Sequence, residues 1–270
     1  MVSRAGSSAA HMKHVFLVLI VLLTGCEKEE EKTAQPTAEV REFHPRAEVT
    51  QAGLPDFAAF TDVKAKKAAF FDFLLPLIEE ANAEISMERE QLTAMLQAPK
   101  LSKAEQQRLA EMVRRYRVNR NGSTEQIKRL LEKINTIPPS LAMAQAANES
   151  AWGTSRFATE GNNLFGQWCF SKGCGLVPEY RADEAIHEVA VFKTPFLSVR
   201  SYMLNINRHT EYTELRELRR QEIRELGYST GLTLAGGLTG YSSRGDEYVE
   251  EVRSMIRYNG LDRYDHPGAE

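Results

Sequence analysis

Cysteine is scarce in this chain. Three in 270 residues are too few for a disulfide scaffold, and they do not fall at a four-ligand zinc spacing. Charge of a single sign is missing too. The 34 Lys and Arg face 37 Asp and Glu, a formal net charge of −3, so there is no global basic field to hold a nucleic-acid backbone. Nucleic acid is therefore not expected as a partner. No phosphate-cradling P-loop and no dinucleotide glycine fingerprint occurs, and neither a metal nor an organic cofactor is expected. A composition of 42% apolar and 26% charged residues rules out disorder and a polytopic membrane protein. What is left is a globular body with a tail.

The tail begins with a targeting signal. Met12-Lys-His leads into the apolar run Val15 to Leu23, then Thr24-Gly25-Cys26 and the polar string from Glu27. At about 1.5 Å of rise per residue, such a short run cannot cross a hydrocarbon core of roughly 30 Å, so it reads as a signal-peptide core. Leu23-Thr-Gly-Cys26 resembles the bacterial lipobox, in which the cysteine is acylated and becomes the first residue of the mature protein. Ordinary secretory cleavage near Gly25 is the alternative. Several acyl chains would anchor the protein stably where one binds only marginally. The residues before Met12 fit neither a charged n-region nor a fold and read as a misassigned start or an expression remnant. Residues 27–56 carry mixed charge, Pro36, Pro45 and Pro55, and read as a tether. The expected location is the periplasmic side of the envelope, at the outer rather than the inner membrane. Export exposes Cys169 and Cys174 to an oxidising compartment, which favours a disulfide between them over two free thiols.

The body is helical by period. Phe70, Leu74, Leu77, Ile78, Ala81 and Ile85 form an apolar stripe that Pro99 ends. Ser102-Lys-Ala-Glu105 and Ser123-Thr-Glu-Gln126 match capping boxes opening two further helices. Arg114, Arg115, Arg117 and Arg120 read as a solvated helix end, with an anionic surface as the minority alternative. Pro138-Pro-Ser140 starts the next helix, with Ser140 as its expected cap. The sequence of that helix, through Glu149, is rich in small residues that let other backbones approach, so it should be central. Glycines at 161, 166, 173 and 175 then indicate loops, and the alternation of Val189 and Val191 with Ala190 and Phe192 predicts one hairpin within 176–193. Helical periods return from Pro195 and close at Asn259-Gly260. The expected fold is mainly α, with a small β-hairpin lobe. The expected divisions are 1–26 (signal and lipobox), 27–56 (tether), 57–137 (helical extension) and 138–265 (catalytic domain).

Glu149 is the residue on which chemistry is expected. Gln145 and Trp152 stand four before and three after it, placing all three on one helical face. A carboxyl beside an indole is partly desolvated, which raises its pKa and suits it to general acid catalysis. A surface glutamate is the plain alternative. His187 and His209 have no spaced ligand partner and read as structural or exposed.

Ala144-Gln-Ala-Ala-Asn-Glu149-Ser-Ala-Trp152-Gly-Thr-Ser155, followed by Asn162-Asn-Leu-Phe-Gly166, resembles the signature of the bacterial cell-wall glucosaminidases of glycoside hydrolase family 73. Gly240-Tyr241-Ser-Ser-Arg-Gly-Asp246-Glu-Tyr248 is similar to the family's Tyr-Ala-Thr-Asp-x-x-Tyr element, but Ser242, Ser243 and the shifted Asp246 depart from it. The resemblance covers about residues 138–260. It implies a lysozyme-like fold, Glu149 as general acid and a second carboxylate on the hairpin lobe. Glu179, in Glu179-Tyr180, aligns best with that carboxylate, with Glu184 and Glu188 as rivals. Tyr241 would position substrate or cation, and Gln145, Trp152, Asn162, Asn163, Phe165 and Tyr248 would bind substrate. For Phe165 and Tyr248 a packing role stands beside that one.

Glycoside hydrolysis through an oxocarbenium-like state needs one protonated carboxyl at the leaving oxygen and, as a rule, a second carboxylate for water or cation. The expected function is hydrolysis of peptidoglycan at the β-1,4 bond between N-acetylglucosamine and N-acetylmuramic acid, with the membrane as second partner through Cys26. A lytic transglycosylase and a non-catalytic wall-binding module are the alternatives.

Overall fold

In the computed structural model, residues 40–119, 122–179, 181 and 186–266 are described. The leader, Cys26, the tether up to residue 39, Arg120, Tyr180 and Glu184 lie outside them. After a single turn, α1 (Ala47–Thr50), the chain enters α2 (Val63–Gln97), the longest helix described. Asp62 caps it, accepting the Ala65 N–H at 2.6 Å. The predicted stripe from Phe70 to Ile85 is buried throughout. Ala98 is extended, as expected before a proline, and ends the helix.

Next come α3 (Lys103–Arg115) and α4 (Ser123–Lys133). The capping box at Ser102 and Glu105 forms with both of its bonds. The second expected box does not. Ser123 is already inside α4, whose cap is Gly122 at φ 83°, and no side chain caps it. The arginines ending α3 are not all a solvated end either. Arg115 donates to Glu88 (2.7 Å), which Tyr116 (2.6 Å) and Arg108 (3.2 Å) also reach, and Arg200 pairs with neighbouring Glu84. Glu88 is fully buried, so a buried charge is offset by three donors rather than left to water. Burial and Glu88 together hold the Tyr116 phenol well above its ordinary pKa.

α2 packs against α4, against α5 (Pro139–Glu149) and against α7 (Pro195–Arg208), which makes it the spine of a single hydrophobic core. The helices of 57–137 and those that follow share that core. α5 lies centrally: Ala142, Ala144, Ala146 and Ala147 are essentially inaccessible to solvent. Ser140 does not cap it. Ser140 is instead held by Asp265, which accepts its N–H (3.0 Å) and its hydroxyl (2.6 Å) and also takes the Gly231 N–H (2.8 Å). The cap thus comes from the far end of the chain. Burial pushes the Asp265 carboxyl up, and these three bonds pull it back down.

After α6 (Arg156–Gly161) the lobe is a three-stranded antiparallel sheet, not a single hairpin. Strands β1 (Trp168–Cys169), β2 (Gly175–Leu176) and β3 (Glu188–Ala190) are ordered β1-β3-β2, with Trp168 opposite Val189 and Leu176 also opposite Val189. Cys169 and Cys174 are disulfide-bonded, closing the loop that carries the chain across β3. Val191 lies past the end of β3 and is exposed, whereas Val189 is buried, so the alternation stops earlier than its pattern suggests. Helices α8 (Thr213–Leu226), α9 (Gly231–Leu234) and α10 (Asp246–Asn259) complete the body, and α10 closes on left-handed Gly260. No helix among the described residues is long and apolar enough to cross a membrane.

Candidate active site

Helix α5 ends on Glu149 because Ser150 turns the chain. The Ser150 hydroxyl donates to the Ala146 carbonyl (2.6 Å) and accepts the Gly153 N–H (2.8 Å). Ala151, Trp152 and Gly153 then all take positive φ, which ordinary side chains adopt at a cost. Gly153 cannot be otherwise: a Cβ there would stand 2.5 Å from the Phe57 ring. This turn carries Trp152 off the helical face that it was expected to share with Glu149. Its indole packs edge-on against Phe70 (5.8 Å) and Phe71 (5.3 Å) of α2, with the Lys67 ammonium 4.7 Å from the ring centre. Trp152 is partly buried and packs against α2.

Glu149 is half-buried at the end of a directed chain of hydrogen bonds. The Tyr202 hydroxyl donates to Gln145 Oε1 (2.6 Å), Gln145 Nε2 donates to the Tyr248 hydroxyl (3.1 Å), and Tyr248 donates to Glu149 Oε1 (2.8 Å). Tyr202, Gln145 and Tyr248 are all buried. Gln145 and Tyr248 therefore cannot meet a sugar directly. They fix the carboxyl instead. With Oε1 engaged as an acceptor, the acid proton belongs on Oε2. That oxygen lies 3.7 Å from where a Cβ on Gly166 would stand, so glycine, at φ 61°, puts no side chain of its own against it.

Burial raises the Glu149 pKa. The Tyr248 hydrogen bond and the Arg244 guanidinium offset this in part, and the Glu251 carboxylate adds to the rise. Arg244 lies over the Tyr248 ring (5.6 Å) and 2.5 Å from Glu251. Tyr241 stacks on Tyr248 (5.3 Å, planes 7° apart), and its hydroxyl donates to the Phe165 carbonyl (3.0 Å). Desolvation holds the Tyr241 phenol well above its usual range, so it remains a donor rather than an anion. Tyr212, tilted against Tyr241, is pushed up to about 12 chiefly by burial.

The Asn-Asn-Leu-Phe-Gly segment is the joint between body and lobe. Asn162 ends α6 in the left-handed region, and its amide donates to the Phe192 carbonyl (3.0 Å). Asn163, buried, donates to the Gln167 and Ala190 carbonyls (2.9 Å each) and accepts the Phe165 and Gln167 N–H groups. Phe165 stacks on Tyr202 at 4.0 Å, inside the core. Asn163 and Phe165 therefore support the site from within and do not line it.

Of the three carboxylates proposed for the lobe, Glu188 is otherwise engaged. It accepts the Gly173 (2.9 Å) and Gly175 (2.8 Å) N–H groups, which hold its pKa down, and so it pins the disulfide loop. Glu179 is exposed, 4.0 Å from the Arg156 guanidinium on α6. Cys169, Cys174 and Glu188 form a cluster of metal-ligating types, but the two sulfurs are bonded to each other and the carboxylate is engaged by backbone, so the donor set does not fit a metal. His187 stacks on Trp168, and the His209 Nδ1 accepts the Glu211 N–H (3.3 Å) in a turn. Tyr202, Arg244 and Glu251 were not foreseen as site residues. Tyr202 falls in the helical pattern of Leu197 and Ile206 on α7, and that was the one available hint, since a hydroxyl on an apolar stripe needs a buried partner.

Comparison with known proteins gives three likenesses. The sequence pattern of the glucosaminidase family, described as mannosyl-glycoprotein endo-beta-N-acetylglucosaminidase, matches residues 124–261 and so begins within α4. Protein bax of Escherichia coli (strain K12) is 32% identical over 225 residues, covering 81% of this chain and 79% of bax. The catalytic domain of the autolysin Auto from Listeria monocytogenes aligns at a TM-score of 0.40 and 18% identity, covering 77% of this chain and 92% of that domain.

Proposed function

The chain belongs to the glucosaminidase family, a family of glycosidases, and on that premise we propose that it is an endo-β-N-acetylglucosaminidase acting on peptidoglycan. The bond cleaved is the β-1,4 link on the reducing side of N-acetylglucosamine, which joins it to N-acetylmuramic acid. The observation that carries this reading is Glu149: a half-buried carboxyl whose pKa is raised by burial, with one oxygen held by Tyr248 and the other beside Gly166, which has no side chain to set against it.

Glu149 Oε2 delivers its proton to the glycosidic oxygen as the C–O bond breaks, so the departing sugar leaves with a neutral hydroxyl. Water completes the reaction at the anomeric carbon, its proton going to a base. Glu179, exposed on the lobe, is the carboxylate assigned to the water or the developing cation. Tyr241 holds the Phe165 carbonyl, next to Gly166, through its hydroxyl. Anchoring through acylated Cys26, on the periplasmic side of the envelope, belongs to the same proposal; loss of radiolabelled palmitate incorporation in Cys26→Ala checks it.

Digestion of purified sacculi by wild type and Glu149→Gln, followed by fragment mass analysis, tests the activity. New reducing N-acetylglucosamine ends from wild type and none from the variant support it. One observation favours a second reading: Glu179, the carboxylate assigned to the lobe, is exposed and stands 4.0 Å from the Arg156 guanidinium. A single acid suffices for a lytic transglycosylase, and anhydromuramic ends in the same fragments would establish that chemistry instead.

A further inference from the structure

Exposed apolar side chains are concentrated on the small lobe. Of the ten large hydrophobic residues exposed among those described, five lie there: Trp168, Phe170, Val177, Ile186 and Val191. Trp168 is the largest, 59% exposed and fixed in place. Its strand pairs with β3, opposite Val189, and the His187 ring, on the same face two residues earlier, stacks on the indole at 4.2 Å with planes 19° apart. The preceding residue, Gln167, is held by Asn163 through both its N–H and its carbonyl, and by the Ala190 N–H at 2.8 Å. An indole backed by a second ring, on backbone tied from both sides, is a preorganised flat surface that loses little freedom when something is laid on it.

The position of that surface gives it a partner. Gly166 borders Oε2 of Glu149, and Trp168 is only two residues further along. Two residues span at most about 7 Å, so the strand that carries the indole begins beside the acid. We propose that Trp168, backed by His187, is a sugar-stacking subsite that holds a ring of the peptidoglycan glycan strand adjacent to the bond Glu149 cleaves. The proposal rests on the glycosidase reading above for the identity of the ligand. The apolar C–H face of a pyranose ring carries partial positive charge and fits the negative face of an indole. With a net charge of −3, contacts of this kind rather than a basic field must supply the affinity for the glycan.

The chain has two tryptophans, and the other, Trp152, is packed against Phe70 and Phe71. Emission of the full-length Glu149→Gln protein therefore reports on Trp168 without turnover. Adding N-acetylglucosamine–N-acetylmuramic acid oligosaccharides is expected to blue-shift the emission and protect it from acrylamide, and neither change is expected in Glu149→Gln/Trp168→Phe. In the active protein Trp168→Ala is expected to raise KM on solubilised glycan about tenfold to a hundredfold, with a much smaller fall in kcat. Trp168→Phe is expected to recover part of that loss. Unchanged emission, together with an unchanged KM in Trp168→Ala, overturns the subsite while leaving wild-type cleavage, and so the enzymatic reading, intact. A wild type that never cleaves, but whose Glu149→Gln emission still responds to glycan through Trp168, overturns the enzymatic reading and leaves the subsite standing. Emission that shifts with anionic phospholipid vesicles and not with glycan overturns the subsite in favour of a lipid contact.

Discussion

Replacing Tyr248 with Phe removes one oxygen atom from the centre of the site. Two bonds go with it: the donation to Glu149 Oε1 at 2.8 Å and the acceptor for Gln145 Nε2 at 3.1 Å. A hydrogen bond to a charged group contributes roughly 1.5–3 kcal/mol, and a buried amide left without its acceptor costs about 1–3 kcal/mol. Gln145 is fully buried, so water does not replace the lost partner. Denaturant unfolding should therefore show a loss of about 2.5 kcal/mol or more for the variant. Activity should fall as well, because nothing then directs the proton to Oε2; a barrier rise of about 1.4–3 kcal/mol is a tenfold to roughly hundredfold loss of kcat. The pH profile carries the sharper test. The tyrosine bond favours the carboxylate and pulls the Glu149 pKa down against burial, so its removal lets that pKa rise. The alkaline limb of kcat on solubilised peptidoglycan should move to higher pH even as its maximum drops. An alkaline limb that stays in place or moves to lower pH, in a variant that still folds, would refute the reasoning.

Glu149→Gln should be more stable than wild type at neutral pH. The folded pKa is raised, so wild type has its full stability below the unfolded value of about 4.3 and loses some as pH rises through the folded pKa. The difference in Tm should accordingly be small near pH 4 and favour the variant at pH 7; the opposite trend by calorimetry would contradict a desolvated acid. Asp265→Ala leaves the Ser140 and Gly231 N–H groups, both buried, without acceptors and uncaps α5. A loss of about 3 kcal/mol is expected, visible as a lower urea midpoint, and truncation before residue 265 should reproduce it. Glu188 has its pKa depressed by the Gly173 and Gly175 N–H groups, so its contribution is present above about pH 4.3 and disappears as pH falls through the folded value. Glu188→Gln should make the lobe more susceptible to limited proteolysis at pH 7, and the gap between variant and wild type should narrow in acid.

The parts of the molecule legible in the sequence are those written in local periods. The α2 stripe, the Ser102 box and the closure of α10 at Gly260 each depend on residues within a turn or two of one another, and each formed as read. The failures share a cause in distance. Ser140 looked like a cap because Asp265, its actual partner, is 125 residues away. The lobe looked like one hairpin because β1 is only two residues long and pairs across the disulfide loop, too short to show alternation. Glu149 stood out through its neighbours, yet the expected indole contact gave way to the left-handed turn at 151–153, and its desolvation comes from the body around it. Gln145 and Tyr248 lie in the hydrogen-bond chain that ends on Glu149, and Phe165 stacks on Tyr202 at its start. Their burial, which no spacing reveals, makes them supports of the acid rather than contacts of the substrate.

The central claim is that Glu149 delivers a proton to a glycosidic bond in peptidoglycan. Mass analysis of sacculi incubated with equal amounts of folded wild type and Glu149→Gln tests it most directly. The account predicts reducing N-acetylglucosamine ends from wild type and a loss of at least about a thousandfold in the variant, equivalent to some 4 kcal/mol of barrier. Equal fragment yields from the two proteins would contradict it.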